Sequence, residues 1–312
     1  MDTQQQQQPQ QTTSKQPPRL QQTKTDKKKK PIRPYHRIKA HSNPLSDCDF
    51  DYPIAPQFYD WSKHYPKIIG GTDEKAIAAG STTAQRRVEF ADVGCGYGGL
   101  TVSLSTAFPD RLSLGLEIRD KVVQYVEERI EKLRSEEKTM PAVPGGGVCA
   151  EGPYQNISVL KTNAMKYLPN LFYKGQLQKI FFLFPDPHFK KANHRRRIIS
   201  PTLLAEYAYV MAIGGLAYFI SDVEELYLWM LGHFRAHPLF EELKLEPSQD
   251  PCIPLILNST EEGRKVNRID GKKWYGVFRR IEAGQKKPVE ASSSEPSATS
   301  TTSTTSTTSS ST

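Results

Sequence analysis

A run of apolar residues closed by two prolines is the feature that most constrains the fold. Residues 180–184 are Ile-Phe-Phe-Leu-Phe, and Pro185, Asp186 and Pro187 follow at once. An apolar run of strand length that ends at a proline is typical of a central strand in a parallel sheet. The residue before a proline is pushed out of the helical region, so we predict an extended or turn conformation for Asp186. Because ligands of open α/β sheets bind beyond the carboxyl ends of the strands, Asp186 is a candidate site residue.

Basic residues are concentrated directly after this carboxylate. They are Lys190, Lys191, Arg195, Arg196 and Arg197. Clustered positive charge at the mouth of a crevice attracts phosphate, and we therefore predict that this set binds the phosphates of a nucleic acid. The alternative is a solvated turn followed by a basic surface helix.

Apolar segments of strand length alternate with helix-like segments from residue 88 onward. This alternation is typical of βαβ units and a parallel sheet. Strands are predicted over 88–93, 112–116, 157–160, 180–184 and 216–220, with closing strands near 242–245 and 274–281. Strands joined by crossovers predict an α/β fold, a mostly parallel sheet with helices on both faces.

Helices are predicted between these strands from apolar spacing and from capping signals. Two of them span 100–107 and 120–134. A third begins at Ser200, an N-cap followed by proline, and is predicted to end at Gly214 and Gly215. A fourth is predicted to begin with a capping box of Asp222 and Glu225 and to run to about residue 235.

Composition divides the chain into one domain and two tails. Residues 1–34 are rich in Gln, Lys and Pro, and residues 285–312 are mostly Ser and Thr near their end, so both are predicted to be disordered. The domain is predicted over 35–284, with a flexible inserted loop over 135–154, where proline and glycine exclude regular structure. The net charge of +8 favours an anionic partner such as nucleic acid, although part of the excess lies in the lysine run 27–30.

The four cysteines and the hydropathy exclude several classes of protein. The cysteines show neither C-x-x-C spacing nor neighbouring histidine pairs, so we predict no metal site and no disulfide framework, which fits a reducing, intracellular location. An apolar stretch of about 18 residues and a signal peptide are both missing, so we predict no membrane or secretory route. The lysine run 27–30 is typical of a nuclear import signal, and the alternative is a solvated charge run.

Glycines cluster where the first predicted strand turns into the first helix, in a segment that we call the glycine turn (residues 94–99). Glycines in such a turn let a ligand approach the backbone closely. Gly94, Gly96 and Gly99 satisfy the dinucleotide pattern G-x-G-x-x-G, whereas Gly94, Gly96 and Gly98 satisfy the G-x-G-x-G pattern of S-adenosylmethionine sites. The glycine pattern leaves both cofactors open.

Residues in three further segments of the chain are candidates for contacts with either cofactor. Glu117, at the end of the second strand, is placed to accept hydrogen bonds from ribose hydroxyls, and the alternative is a surface carboxylate paired with Arg119. Asn163 and Ala164 follow the third strand, where an adenine ring could lie. Thr260 begins a segment Thr-Glu-Glu-Gly that is also typical of a capped helix N-terminus.

A series of motifs, taken in order, points to one family. The motifs are Ala40-His41-Ser42-Asn43-Pro44, Ala-Asp-Val-Gly-Cys-Gly-Tyr-Gly-Gly at 91–99, Gly115-Leu116-Glu117-Ile118-Arg119, Asn163-Ala164-Met165, Pro185-Asp186-Pro187-His188 and Thr260-Glu261-Glu262-Gly263. Over residues 35–282 the chain thereby resembles the eukaryotic tRNA (guanine-N7-)-methyltransferases. The resemblance implies a Rossmann-like class I methyltransferase that uses S-adenosylmethionine, methylates a guanosine in the tRNA variable loop, works with a WD-repeat non-catalytic subunit, and resides in the nucleus and partly in the cytoplasm.

The resemblance also implies roles for particular residues. It implies that Asp186 is the active-site carboxylate. Together with the glycine pattern it implies cofactor contacts by Gly94, Gly96, Glu117, Arg119, Asn163, Ala164, Leu183, Thr260 and Glu262. The chain departs from the family pattern in the loop 135–154, which is longer and richer in glycine, and at residues 274–276, where the family more often has an aromatic residue followed by proline.

Guanine N7 carries no proton, so methyl transfer to it needs no general base. We therefore expect Asp186 to bind the guanine N1–H and the exocyclic amine, and to offset the positive charge that develops on the ring. Two alternatives stay open on the residues alone. One is a nicotinamide-dependent oxidoreductase, which the glycine pattern and Glu117 would suit, and the other is a non-catalytic RNA-binding scaffold.

Overall fold

The computed structural model describes residues 43–46, 50–69, 86–136 and 147–286. The predicted tail over 1–34 lies outside the described residues, as does the predicted tail over 285–312 except for residues 285 and 286. Residues 137–146 of the predicted loop also lie outside them.

Seven strands form a single sheet in the order β3-β2-β1-β4-β5-β7-β6 within the described part of the chain. Their bounds are β1 (Val88–Val93), β2 (Leu112–Glu117), β3 (Ile157–Lys161), β4 (Leu177–Leu183), β5 (Met211–Ser221), β6 (Phe240–Leu243) and β7 (Trp274–Arg280). The first five strands pair in parallel, and β7 runs antiparallel to β5 and to β6. The chain order reverses between β1 and β4, and this is the position at which open α/β sheets bind ligands.

Helices cover both faces of the sheet, as predicted. They are α1 (Gly99–Ala107), α2 (Asp120–Ser135), α3 (Ala164–Leu171), α4 (Pro201–Val210), α5 (Glu224–Ala236), α6 (Cys252–Asn258) and α7 (Glu261–Arg268). Strand β4 shows why its sequence is continuously apolar. Ile180 and Phe182 enter the core formed with α3, α4 and α5, whereas Phe181 and Leu183 enter the core formed with α1 and α6. Each such buried side chain stabilises the fold by roughly 1.5–3 kcal/mol.

The predicted end of the third helix is wrong. Helix α4 ends at Val210, and the chain continues directly into β5, which includes both glycines. Met211 pairs with Leu177 at the start of β4, and the register shifts by the next pair. Gly214 has a φ of 85°, and a Cβ on Gly215 would lie 3.0 Å from the carbonyl oxygen of Leu177. The glycines therefore mark an irregularity in a strand, where backbones approach closely, and not a helix end.

The predicted capping box is also wrong. Helix α5 begins at Glu224 with Val223 as its N-cap, and no side chain caps it, so Asp222 lies outside the helix. The backbone N–H of Val223 donates instead to Ser221 Oγ, at 3.0 Å. Glu225 does not reach back to the cap, because it accepts a hydrogen bond from Arg197 at 2.7 Å.

Smaller differences concern strand ends. β4 begins before the predicted run and ends at Leu183, because Phe184 has a φ of 47° and leaves the strand. β6 lies two residues earlier than the predicted 242–245. The residue at which a strand ends is decided by pairing with a neighbouring strand that is distant in sequence. Local composition does not indicate such pairing.

A segment before the first strand packs on the sheet through aromatic rings. The hydroxyl of Tyr65 donates to the carbonyl oxygen of Ser113 in β2, at 2.9 Å. His64 lies between two hydroxyls, with Nε2 2.7 Å from Tyr59 Oη and Nδ1 2.8 Å from Ser158 Oγ. Burial, together with the nearby Arg134 guanidinium, lowers the pKa of His64 to about 4.

We predict that His64 makes the fold sensitive to acid. Its pKa is lower in the folded chain than in the unfolded chain, so its neutral form stabilises the fold above about pH 6.5, and this stability is lost as the pH falls towards 4. A shift of this size corresponds to up to about 3 kcal/mol. Urea unfolding of the wild type and of His64→Gln from pH 7 to pH 4 measures it, and the variant should lose less stability over this range. Parallel losses in both proteins would contradict the assignment.

Candidate active site

The glycine turn lies at the carboxyl end of β1 and adopts a conformation that glycine alone readily allows. Gly94, Gly96 and Gly98 have φ values of 73°, 54° and 77°. The N–H of Gly94 donates to the carbonyl oxygen of Leu116 in β2, at 2.8 Å, which holds the turn against the sheet. A Cβ on Gly94 or Gly96 would have nothing within 4 Å, so the backbone borders open space that a ligand can enter.

Gly99 serves a different purpose from the other glycines. It begins α1, and a Cβ at this position would overlap the carbonyl oxygen of Ser259 and would lie 3.1 Å from Thr260 Cα. Gly99 is therefore required by the close packing of the segment before α7. The three glycines with left-handed backbone are Gly94, Gly96 and Gly98, which are the glycines of the G-x-G-x-G pattern.

Glu117 ends β2 and is one of the few buried charged residues, with 3% of its surface exposed. Its carboxylate accepts hydrogen bonds from the N–H groups of Ile118, Arg119 and Gly96 at 2.8, 2.9 and 3.2 Å. The Arg119 guanidinium completes the set, at 2.9 and 3.0 Å, and this pairing raises the pKa of Arg119. The Glu117–Arg119 pair considered as an alternative does form, but its carboxylate is buried and is not a surface group. These hydrogen bonds occupy both oxygens of the carboxylate. Glu117 can therefore accept from a ribose hydroxyl only if a hydrogen bond from the Arg119 side chain is broken.

Asp92 in β1 is a site residue that the sequence analysis missed. It is 2% exposed, and Thr101 Oγ1 of α1 donates to its carboxylate at 2.8 Å. Burial raises the pKa of Asp92 to about 7, and the negative charges of Glu117 and Glu261 add to the effect. An acid between the apolar residues Ala91 and Val93, next to the glycine turn, was the signal in the sequence.

Asn163 is buried at the N-terminus of α3, and both ends of its amide are used. Its oxygen accepts from the N–H of Met165 at 3.0 Å, and its nitrogen donates to the carbonyl oxygen of Pro44 at 2.6 Å. Lys166 donates to the carbonyl oxygen of Ser46 at 3.2 Å. The segment 43–46 is thereby bound beside the candidate site. Ala164 is 8% exposed and lies next to this contact.

Thr260 and Glu262 lie at the first turn of α7. Thr260 Oγ1 accepts a hydrogen bond from the N–H of Gly263 at 2.9 Å, so the predicted helix cap is confirmed. Glu262 is about half exposed and lies 3.4 Å from Lys265 Nζ. A Cβ on Gly263 would lie 3.6 Å from the ring of Phe184, which brings the first turn of α7 to the end of β4.

Asp186 lies beyond the carboxyl end of β4, at the same sheet edge as the glycine turn. Val93 of β1 pairs with Phe182 of β4, so the two strands end side by side. The Asp186 carboxylate accepts from the N–H of His188 at 3.3 Å, and its other oxygen lies 3.7 Å from His188 Nε2. Its side chain is 29% exposed and is accessible to a ligand.

The backbone on both sides of Asp186 is strained. Phe184 and His188 have φ values of 47° and 45°, in the left-handed region that non-glycine residues rarely adopt. The N–H of Phe184 donates to the carbonyl oxygen of Ile220 at 2.9 Å and fixes the first of these residues. Strain that the surrounding structure maintains is typical of functional sites.

The predicted phosphate-binding set is divided by the structure. Lys190, Lys191 and Arg195 are exposed, and Arg196 is partly buried, along or next to a short 3-10 helix over Lys191–Arg196. These residues follow Asp186 in the chain, and three of them present positive charge to solvent.

Arg197 is a correction to the predicted set. It is 1% exposed, so its guanidinium is not available to a phosphate. Its Nε donates to the carbonyl oxygen of Pro187 at 2.8 Å, its Nη2 donates to Glu225 at 2.7 Å, and its guanidinium lies 4.7 Å from the centre of the Trp229 ring. Arg197 therefore links helix α5 to the segment that contains Asp186.

Membrane-spanning helices and clusters of metal ligands are both absent from the described ranges. Every helix there is too short or too polar to cross a lipid bilayer. Across the same ranges, His, Cys, Asp and Glu side chains nowhere gather in a group of three or more that could hold a metal ion.

Comparison with known proteins adds independent findings. Residues 86–275 match the model of a family described as a putative methyltransferase. The chain is 63% identical over 269 residues to the tRNA (guanine-N(7)-)-methyltransferase of Dictyostelium discoideum, covering 86% of this chain and 87% of that protein. It is 52% identical over 252 residues to that of Brugia malayi, covering 80% and 87%, and 51% identical over 272 residues to that of Homo sapiens, covering 85% and 94%.

We predict that Asp92 makes the fold less stable as the pH rises. Its pKa is about 7 in the folded chain and about 3.9 in the unfolded chain, so the stability present below pH 4 is lost between pH 4 and pH 7. Asp92→Asn removes this loss and can still accept from Thr101. Relative to the wild type, the variant should gain about 4 kcal/mol between pH 4 and pH 8, as measured by urea unfolding.

The control for this measurement is Asp110→Asn, because the Asp110 side chain is 71% exposed. Its curve should run parallel to that of the wild type. A parallel curve for Asp92→Asn as well would show that the Asp92 carboxyl is not perturbed.

Proposed function

The chain belongs to the family of tRNA (guanine-N(7)-)-methyltransferases, and we propose that it transfers a methyl group from S-adenosylmethionine to N7 of a guanosine in the tRNA variable loop. The observation that carries the proposal is sequence identity of 51–63% to these relatives over 80–86% of the chain. The geometry supports it, because the glycine turn and Asp186 lie at one edge of the sheet.

The donors and acceptors at this edge fit S-adenosylmethionine. Gly94 and Gly96 expose backbone to open space, the Glu117 carboxylate and the Arg119 guanidinium are linked to Gly96, and the residue that caps α7, Thr260, packs against Gly99. The residues that would hold the cofactor are Gly94, Gly96, Glu117, Arg119, Asn163, Ala164, Leu183, Thr260 and Glu262. When bound, the cofactor supplies a methyl group on a positively charged sulfur, which a nucleophile can attack.

Asp186 then recognises the base that receives the methyl group. Guanine N7 has a lone pair and no proton, so no residue need act as a general base. The carboxylate accepts hydrogen bonds from the guanine N1–H and exocyclic amine, which selects guanine over adenine. Its negative charge stabilises the positive charge that develops on the ring as the N7–methyl bond forms.

Rigid mounting of Asp186 contributes to the rate. Pro185 and Pro187 restrict its backbone, and Arg197 holds the carbonyl oxygen of Pro187 at 2.8 Å. The flanking left-handed residues Phe184 and His188 are held by their surroundings. A carboxylate that is already oriented does not lose conformational freedom when the guanine enters, and this lowers the barrier to reaction.

Lys190, Lys191, Arg195 and Arg196 bind tRNA phosphates near the target. A guanine stacked in folded RNA is poorly accessible, so the target base is turned out of its stack to reach Asp186. Exposed positive charge in the segment that follows Asp186 supports binding of the neighbouring phosphates. Arg197 is not part of this surface because it is buried.

The two alternatives weighed from the residues are less well supported. Membership of the methyltransferase family excludes the nicotinamide-dependent oxidoreductase that the glycine pattern left open. A non-catalytic RNA-binding scaffold would have no need for the strained segment around Asp186 or for the open glycine turn.

A WD-repeat subunit as partner, and residence in the nucleus with some presence in the cytoplasm, complete the proposal. Both rest on the resemblance, and the lysine run 27–30 that supports nuclear import lies outside the described residues. One experiment tests reaction, position and partner together. Unmodified tRNA is incubated with labelled cofactor and the chain, with and without the WD-repeat subunit, and 7-methylguanosine is mapped by borohydride and aniline cleavage. Cleavage in the variable loop supports the proposal, and labelling elsewhere contradicts it.

We predict that Asp186→Asn lowers turnover by about a hundredfold, because the amide carries no negative charge and its N–H₂ opposes the guanine donors. Cofactor affinity should stay unchanged, as measured by calorimetry. The matched control is Asp222→Asn, an exposed acid that follows the neighbouring strand β5, and it should keep wild-type turnover. Near-normal turnover of Asp186→Asn would refute the proposed role.

We predict that replacing Lys190, Lys191 and Arg195 with Ala weakens tRNA binding and flattens its dependence on salt. Each lost phosphate contact removes somewhat less than one unit from the slope of log affinity against log salt, so the slope should fall by roughly 2. Filter binding at several salt concentrations measures it. The control variant replaces Lys63 and Lys132 with Ala, because both side chains are exposed and lie outside the segment 190–197. An unchanged slope in the triple variant would show that these residues do not contact phosphate.

A further inference from the structure

Helix α7 brings two proposed cofactor contacts, Thr260 and Glu262, to the glycine turn, yet it has little core of its own. It is eight residues long, and Gly263 and Val266 are its buried residues. Isolated helices of this length are marginal in water, so contacts with the rest of the domain must hold it. The position of α7 relative to the glycine turn therefore depends on a few identifiable interactions.

One of these interactions is close packing at Gly99. The backbone of Ser259 and Thr260 approaches the start of α1 so closely that a Cβ on Gly99 would overlap it. This packing sets the distance between the two elements. It does not by itself fix the rotation of α7, because it acts at a single point at the N-terminal end of the helix.

A second interaction reaches the same place from helix α2. Nη1 of Arg129 donates to the carbonyl oxygen of Tyr97 in the glycine turn at 2.7 Å, and the same nitrogen lies 3.2 Å from Glu261 Oε1 at the first turn of α7. The side chains of Arg129 and Glu261 are 26% and 27% exposed, so solvent screens the pair only in part. A single guanidinium thus joins α2, the glycine turn and α7.

We propose that Arg129 and Glu261 are positioning residues that hold the first turn of α7 against the glycine turn, and so fix Thr260 and Glu262 relative to Gly94 and Gly96. Neither side chain needs to touch the cofactor. The inference deepens the proposed function, because it rests on the cofactor contacts assigned there to α7 and to the glycine turn.

The chemistry of arginine suits this role. The guanidinium carries its charge at any accessible pH, and Nη1 carries two N–H groups, so this one nitrogen can donate to a carbonyl and a carboxylate together. A lysine at this position would keep the charge and the donors, but its side chain is shorter than that of arginine. Glu261 lies in the first turn of α7, where a negative charge also interacts favourably with the helix dipole.

The test compares Arg129→Gln, Glu261→Gln, the double variant and Arg129→Lys. Calorimetry with S-adenosylhomocysteine measures affinity without any methyl transfer. Each single variant should bind roughly fivefold to tenfold more weakly, in line with the loss of a charge-assisted hydrogen bond. The double variant should be no weaker than the worse single variant, and Arg129→Lys should recover part of the affinity. The proposal would be overturned if the fold-losses of affinity in the two single variants multiplied in the double variant. It would also be overturned if the single variants bound within twofold of the wild type.

Amide hydrogen exchange of the cofactor-free chain provides a readout that requires no ligand. Exchange at residues 96–99 and across α7 should accelerate in Arg129→Gln and in Glu261→Gln, with the sheet unchanged. The control is Arg111→Gln, which breaks the Arg111–Glu89 pair at the amino end of β2 and should change neither exchange at these residues nor affinity. If Arg129→Gln fails to fold, Glu261→Gln decides, because it leaves the Arg129–Tyr97 hydrogen bond intact. Failure of the proposed reaction would leave these binding and exchange results unaffected, so the two outcomes are distinguishable.

Discussion

The parallel pairing of β1 with β4 is the constraint on which the rest of the structure depends. It places the end of the strand that leads into the glycine turn beside the end of a strand that is followed by Pro-Asp-Pro, so that open backbone and a fixed carboxylate share one edge. Chain order reverses between these strands, and the helices that follow them lie on opposite faces, which leaves a crevice there. The features of the site, from the left-handed glycines to the orientation of Asp186, are arranged around this crevice.

Two carboxylates, those of Glu117 and Asp92, are buried around the crevice, and each accepts hydrogen bonds from neighbouring groups. Glu117 accepts from three backbone N–H groups and from Arg119, and Asp92 accepts from Thr101. Burying a carboxylate costs free energy that these hydrogen bonds offset only in part, and the raised pKa of Asp92 reflects the remainder. Such groups stabilise the domain little, but they hold the glycine turn and its neighbours in one arrangement. The site is in this sense ordered before any ligand arrives.

Much of the fold and of the site could be predicted from the sequence where the signal is local. The glycine turn after β1, the end of the apolar strand β4 before Pro185 and the Thr260 cap are each set by a few adjacent residues. What failed was decided by distant contacts. Met211 leaves helix geometry because it pairs with Leu177, and Arg197 turns inward because Glu225 and Pro187 receive its guanidinium. Nothing in a run of three arginines tells which of them faces the core. The Arg129–Glu261 contact joins residues 132 positions apart and could not be found without the structure.

The proposed function requires that one crevice hold the methyl donor against the glycine turn and the guanine against Asp186. The most direct measurement is a crystal structure of the chain with S-adenosylhomocysteine and unmodified tRNA. We expect cofactor electron density along Gly94 and Gly96, with a guanine turned out of its stack and its N1–H and amine facing the Asp186 carboxylate. Cofactor bound away from the glycine turn, or a guanine whose donor edge faces away from Asp186, would contradict it.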